Sequence, residues 1–253
     1  MGNSDTGSVL NEAGLDLVLL SNFVHQVVNP LNGVAGTLDN LAEGVVKEEF
    51  RREQRLRAAR AQLEQCITLM RNLAFLAQGF RKLSDDERRK TVLPQVIIES
   101  AMFYQEDGKG KGIDIVLLNP EVQNRVTGHP ELIRQVLMNI FDNSIKYSQK
   151  NSRVEIEQRI QRRTSMALIT VRSTSQVPVS QNDINKLTEL GFRGDNARKI
   201  VASGTGLGLY ICRRILEDVH SGSLHIQLAP QNVIEITIKL PAGEAARRES
   251  RRG

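Results

Sequence analysis

The sequence predicts an α+β chain: a two-helix dimerisation hairpin, forming a four-helix bundle as a dimer, followed by an α/β sandwich built on a mixed sheet. Three observations predict it. Two long stripes of apolar residues at helical spacing open the chain, a polar joint follows, and short apolar runs then alternate with amphipathic helical segments.

From Leu15 the first stripe is Phe23, Val27, Leu31, Val34, Leu38, Leu41 and Val45, at steps of four and three, the period of a helix with one buried face. The second, Leu56, Ala59, Leu63, Cys66, Met70, Leu73 and Ala77, keeps the three-four alternation of a coiled-coil seam. A lone hairpin cannot cover both stripes, so a homodimer is expected. Ser84 to Lys90 and then Pro94 read as a joint. Beyond it, Ile113 to Leu118, Val154 to Ile160, Ala167 to Val171, Leu224 to Leu228 and Val233 to Leu240 read as strands, with a hairpin turn at Gln231-Asn232. Gln95 to Tyr104, Glu131 to Tyr147 and Leu207 to Val219 read as helices covering one face of the sheet. The expected divisions are a flexible N-terminus 1–14, the hairpin 15–84, a linker 85–94, a second domain 95–242 and a basic flexible tail 243–253.

Composition narrows the function classes. With 253 residues and 40% hydrophobic content the chain can bury one good core and a smaller second one. Cys66 and Cys212 fall in helical stretches far apart, which supports neither a disulfide framework nor a cysteine-rich metal site. No apolar run reaches the roughly 18 residues needed to span a bilayer, and Met1 to Leu10 lacks the features of a signal peptide, so a cytoplasmic location is expected. The net charge is +5, but 34 basic and 29 acidic residues are interspersed. The one concentrated basic run, Ala245 to Arg252, lacks aromatic residues to stack on bases, so nucleic acid is not an expected partner.

Three motifs carry chemistry. In Phe23-Val24-His25-Gln26-Val27-Val28-Asn29-Pro30-Leu31, His25 sits about 200° around the helix from Phe23 and so faces water. Asn29 follows one turn later on the same face, and Pro30 removes the hydrogen bond to the Gln26 carbonyl. Taken alone, this motif is also what an ordinary surface histidine beside a helix kink looks like. The second motif runs from His129 to Tyr147. Spacings of four and three put Asn139, Asn143 and Lys146 in one polar line, where amide oxygens can complete a magnesium shell and a lysine can neutralise phosphate. The third, Gly204-Thr205-Gly206-Leu207-Gly208, leaves backbone N–H groups open to a phosphate. Before it, Gly191 to Ser203 is polar and glycine-bounded, as expected of a mobile lid. His129 and His220 read as structural residues at helix ends.

In this order and spacing the motifs resemble the histidine box, the asparagine box, and the phenylalanine and second glycine boxes of bacterial sensor histidine kinases, over nearly all of 15–240. The resemblance implies a transmitter core with a Bergerat ATP-binding fold and a phospho-acceptor at His25. It implies ATP and Mg2+ as cofactors, with magnesium bound through Asn143 and helped by Asn139. Phosphate contacts would come from Lys146 and the Gly204, Thr205, Gly206, Leu207, Gly208 loop. Tyr147, just past Lys146, reads either as flanking the nucleotide or as an ordinary packing residue. It also implies a response-regulator receiver domain as partner. No usual sensory module fits before Leu15, so a separate sensory partner is expected unless the chain is a fragment.

Two departures fall on chemistry. Gln26 stands where the family has an acidic residue after the histidine, and an amide orients without accepting a proton. Losing a general base costs about 10²- to 10⁴-fold, so a slow kinase is expected. Ser173, in Val171-Arg172-Ser173-Thr174-Ser175-Gln176-Val177-Pro178, stands where the family has an aspartate that accepts from the adenine amino group. Losing a hydrogen bond to a charged group costs roughly 1.5 to 3 kcal/mol. Asp183 could substitute only if the loop folds back. Two rivals remain: a degenerate kinase acting as a phosphotransfer protein or response-regulator phosphatase, and a non-catalytic adaptor that responds to nucleotide.

Overall fold

The computed structural model describes residues 17–77, 88–201 and 204–242. The expected flexible N-terminus, the first part of the joint and the basic tail lie outside them. The chain divides into two compact units: 1–79 with 203–205, and the remainder. Among the described residues no helix is long and apolar enough to cross a membrane.

The first unit is a helical hairpin. Helix α1 (Leu17–Ala42) runs through Pro30 without ending. It stops where Gly44, at φ 69°, donates to the Leu41 carbonyl, a left-handed ending that glycine adopts at no steric cost. Helix α2 (Glu49–Ala77) returns antiparallel to it. Phe23, Ala59, Cys66 and Leu76 are buried between the two, and the Cys66 thiol donates to the Val27 carbonyl. Of the other stripe members, Val27, Val34, Leu41 and Leu73 are half-buried, whereas Leu31, Leu38, Leu56, Leu63 and Met70 are 38–50% exposed. In α2 the exposed Leu56, Leu63 and Met70 recur every seven residues and alternate with Ala59 and Cys66, so one helix carries two seams, one used within the hairpin and one uncovered.

The second unit opens with strand β1 (Arg89–Val92), which runs directly into helix α3 (Leu93–Lys109). Then come β2 (Asp114–Leu117), β3 (Arg125–Gly128), α4 (Pro130–Tyr147), β4 (Arg153–Gln161) and β5 (Met166–Thr174). After these follow the short helices α5 (Gln181–Lys186) and α6 (Asp195–Ile200), helix α7 (Gly208–Arg214) with a π-helical turn at Ile215–Val219, and strands β6 (Ser223–Ala229) and β7 (Val233–Pro241). Five strands make a mixed sheet ordered β2-β4-β5-β7-β6, with β2 parallel to β4 and every other pair antiparallel. Strands β1 and β3 form a separate antiparallel ribbon. Helices α3, α4 and α7 pack side by side, α3 against β2 and α7 against β6.

The expected five strands, three helices and mixed sheet are all present, and the linker needs correction. Residues 89–94, assigned to the linker 85–94, are strand and helix: Thr91 and Val92 pair with Val126 and Arg125, and Pro94 sits in the first turn of α3, where its missing N–H costs nothing.

Alternation in the strands explains the sandwich. Ile115, Val154, Ile156, Ile169, Val171, Ile236 and Ile238 point to one face and are at most 6% exposed. There they meet Ile97, Leu137, Ile140, Phe141, Ile211 and Ile215 from the helices, all fully buried. The opposite face is polar: the Arg172 guanidinium binds Glu235 at 2.6 Å and Glu157 at 3.2 Å. The β6–β7 hairpin turns through Gln231 and Asn232, both at positive φ (61° and 60°), the backbone of a tight primed turn.

Candidate functional site

Helix α4 carries the second motif, and its packing on both sides decides what each side chain does. His129 is its N-cap, and its backbone N–H donates to Nε2 of His220 at 3.1 Å. Nδ1 of His220 lies 3.0 Å from the Ile215 carbonyl. Since Nε2 accepts, Nδ1 carries the proton and donates, so His220 ties the end of the π-helical turn to the start of α4 as a neutral ring. Burial pushes its pKa below the ordinary histidine range, and the neighbouring His129 and Arg88 push the same way.

Nearly three turns along α4, Asn139 is buried at 4% exposure, and its Nδ2 donates to the Gly208 carbonyl at 3.4 Å. Asn143 is half-buried beside it. A Cβ built on Gly208 would lie 3.8 Å from Asn139 Cβ and from Asn143 Nδ2. The amide line and the last glycine of the third motif are thus brought together, at the first residue of α7. Cys212, the next turn of α7, is fully buried; burial pushes its thiol up to about 12, and its Sγ donates to the Val136 carbonyl.

Gly206 is the glycine that the backbone demands. It has φ 68°, and a Cβ there would come within 2.6 Å of the Gly191 carbonyl carbon and 2.7 Å of the Phe192 oxygen. Leu207 is buried, and Gly204 and Thr205 are half-buried. The segment expected as a lid contains α6, and Asn196 Nδ2 donates from it to the Pro178 carbonyl at 3.0 Å. Its last residues, 202–203, lie outside the described chain.

The remaining expected site residues are placed as follows. Lys146 is paired with Asp142 at 2.6 Å along its own helix. Tyr147 is half-buried at the end of α4, where its carbonyl accepts from the Gln176 N–H. Ser173 lies near the end of β5 on the helix-facing side, between Val154 and Ile234. The loop after it is stitched down by Asn232, whose Nδ2 donates to the Ser175 and Val177 carbonyls at 2.9 and 2.6 Å. Asp183 is occupied elsewhere: it forms a capping box with Ser180 at the start of α5, so it does not replace an acid at Ser173. In the first unit His25 and Asn29 are both exposed on α1, and Gln26 is half-buried.

Sequence reasoning missed the Asp142–Lys146 pair, although acid and lysine four apart on a helix announce it. It also missed Asn232, for which only a turn signal was visible. Among the described residues there is no cluster of three or more His, Cys, Asp or Glu that could cage a metal. Magnesium held by one amide and by phosphate oxygens needs no such cluster, and the half-buried Asn143 beside Gly208 fits that kind of site.

Comparison with known proteins agrees with this architecture. The family described as histidine kinase-, DNA gyrase B- and HSP90-like ATPase matches residues 128–244. Sensor protein kinase WalK of Staphylococcus aureus is 25% identical over 223 residues, covering 88% of this chain and 52% of that protein, so the chain spans about half of that relative's length. The catalytic domain of histidine kinase ThkA superposes with a TM-score of 0.52 at 24% identity, over 61% of this chain and 97% of that one. Full-length ShkA in complex with AMPPNP gives a TM-score of 0.57 at 18% identity, over 89% of this chain and 45% of that one. Residues 128–244 therefore match the histidine kinase-, DNA gyrase B- and HSP90-like ATPase family, and the fold is the one that these histidine kinase structures share.

Proposed function

We propose that the chain is an ATP-dependent protein histidine kinase that phosphorylates His25 and passes the phosphoryl group to an aspartate of a response-regulator receiver domain. The observation that carries this reading is the convergence of Asn143, Asn139 and Gly208 in the ATPase domain. It joins amides on α4 to the glycine motif at the start of α7, and the AMPPNP-bound ShkA shares the fold.

In this reading Asn143 offers its amide to magnesium and the nucleotide phosphates, and magnesium when bound supplies neutralisation of phosphate charge. Asn139 acts as a strut, holding α7 against α4. Lys146, freed from Asp142, meets phosphate charge, Tyr147 flanks the base, and the N–H groups of Gly206, Leu207 and Gly208, with Gly204 and Thr205, surround the phosphate chain. A ring nitrogen of His25 uses its lone pair to form the N–P bond as the bond from the γ-phosphorus to the β–γ bridging oxygen breaks, and ADP leaves. The proton on the other ring nitrogen passes to solvent, because Gln26 cannot accept it. Asn29, one turn from His25, helps orient the acceptor. The exposed stripe Leu56, Leu63, Met70 with Leu31 and Leu38 supports homodimerisation into a four-helix bundle.

A second reading, phosphotransfer or phosphatase work on a receiver domain without ATP chemistry, is favoured by Ser173 and by the loop fastened through Asn232. The test is incubation with γ-labelled ATP and magnesium beside His25→Ala and Asn143→Ala. Acid-labile, base-stable label that is lost in both variants supports the kinase. An unlabelled chain that still removes phosphate from a receiver aspartate supports the second reading.

A further inference from the structure

Tyr147, Ser173 and Gly208 lie toward one end of the sheet of the second unit; its other end carries a concentration of cations that the proposed chemistry does not use. We propose that this far end is a contact surface for an anionic lipid bilayer.

The placement follows from the register. Strand β5 begins at this end with Met166, paired with Gln161 and Pro241. The β4–β5 turn, Arg162–Thr164, is exposed there, and Ser165, at φ 50°, closes it by accepting from the Ala242 N–H at 2.9 Å. Ala242 in turn bridges to Val126 of β3. The turn arginines are therefore tied to the β1–β3 ribbon. On that ribbon Arg125 and Thr127 are exposed on one side of buried Val126, and Lys90, directly opposite Thr127, shares their face.

Four cations, Lys90, Arg125, Arg162 and Arg163, converge here, and none forms an ion pair among the described residues. Of the acids nearby, Glu217 and Asp218 of the π-helical turn pair with Arg213 and Arg214, and Glu131 of α4 shares Arg134 with Glu99 of α3. The adjoining β2–β3 loop contributes one acid, Glu121. Among the described residues of this end the sum remains positive.

What selects a bilayer over another polyanion is the apolar character beside the charge. In the β2–β3 loop leading to Arg125, Leu118 is 50% and Val122 is 37% exposed, and Leu117 and Pro120 line a groove continued by Ile98 and Met102 of α3, the latter 67% exposed. Apolar side chains next to arginines suit the boundary between headgroups and acyl chains, where one set enters and the other meets phosphodiesters. A nucleic acid backbone has no use for this apolar rim, and none of these surface residues is aromatic, so none offers a base a stacking platform.

The test is co-sedimentation of the full chain with vesicles of phosphatidylcholine alone and of phosphatidylcholine mixed with phosphatidylglycerol, at low and high salt. Sedimentation only with the mixed vesicles, reversed by salt, is expected. Arg162→Ser with Arg163→Ser, in an exposed turn, should weaken it about 25-fold, roughly five-fold per cation. Lys90→Gln with Arg125→Gln should act alike and serves if the first pair unfolds. Arg153→Gln, at the opposite end of β4, should change nothing. Absence of binding to the mixed vesicles overturns the proposal, as does equal loss in Arg153→Gln. So does full binding by both double variants with loss only on substituting Arg247, Arg248, Arg251 and Arg252, or duplex DNA bound at least as tightly with the same variant pattern.

Discussion

The two units treat the same kind of residue in opposite ways. In the ATPase domain the large apolar side chains are spent internally: Leu93, Ile97, Leu137, Ile140, Phe141, Ile156 and Ile169 are all at 0% exposure. In the hairpin, leucines at equally regular spacing remain 38–50% exposed, since two helices can cover only one seam each. A domain with a sheet and three helices closes its own core, whereas the hairpin holds a second seam in reserve. In the proposed reading, the first unit serves self-association and the second nucleotide chemistry.

Substitutions can break that division of labour separately on each side. The largest effect is expected from Phe141→Ala, which empties the centre of the second core and should cost about 3 to 5 kcal/mol in urea unfolding of that domain, with the association state unchanged. Next, Ser173→Asp restores an anionic acceptor beside the end of β5 and should tighten ATP about 10- to 150-fold, the reverse of losing a charged hydrogen bond, as calorimetry can check. Leu63→Lys places a charge in the uncovered seam of α2, and light scattering should find a monomer whose nucleotide affinity is unaltered.

The smallest effect is a pH dependence confined to the second unit. His220 is held neutral in the fold, so its folded pKa lies below the unfolded value near 6.5. Its contribution is complete above that unfolded value and declines as pH falls from there toward the depressed folded value, because the unfolded chain takes up the proton first. Urea midpoints of the ATPase domain should fall between about pH 7.5 and about pH 5.5, and His220→Asn should flatten that slope.

Much of this was legible in the sequence where periodicity was long. Both hairpin helices, α4 and the five sheet strands announce themselves by repeated spacing, and the three motifs sit on the elements expected of them. The β1–β3 ribbon was not legible, because Arg89-Lys90-Thr91-Val92 and Arg125-Val126-Thr127-Gly128 are too short and too polar to show alternation. At the site, spacing placed Asn139, Asn143 and Lys146 in one line but could not show that α7 packs over the first of them. That packing buries Asn139 and gives it the Gly208 carbonyl, leaving Asn143 as the more accessible amide. Likewise Asp183, three residues after Ser180, was readable as part of a helix cap, and the fold uses it as one.

The central claim is that α4 and the start of α7 build one phosphate-binding site around Asn143. Its most direct test is calorimetric titration of the full chain with ATP and magnesium, beside Asn143→Ala. Measurable binding that weakens by at least about ten-fold in the variant, as expected when a charge-assisted contact is removed, is the predicted result. Equal affinity in the two proteins, or no binding by either, would contradict it.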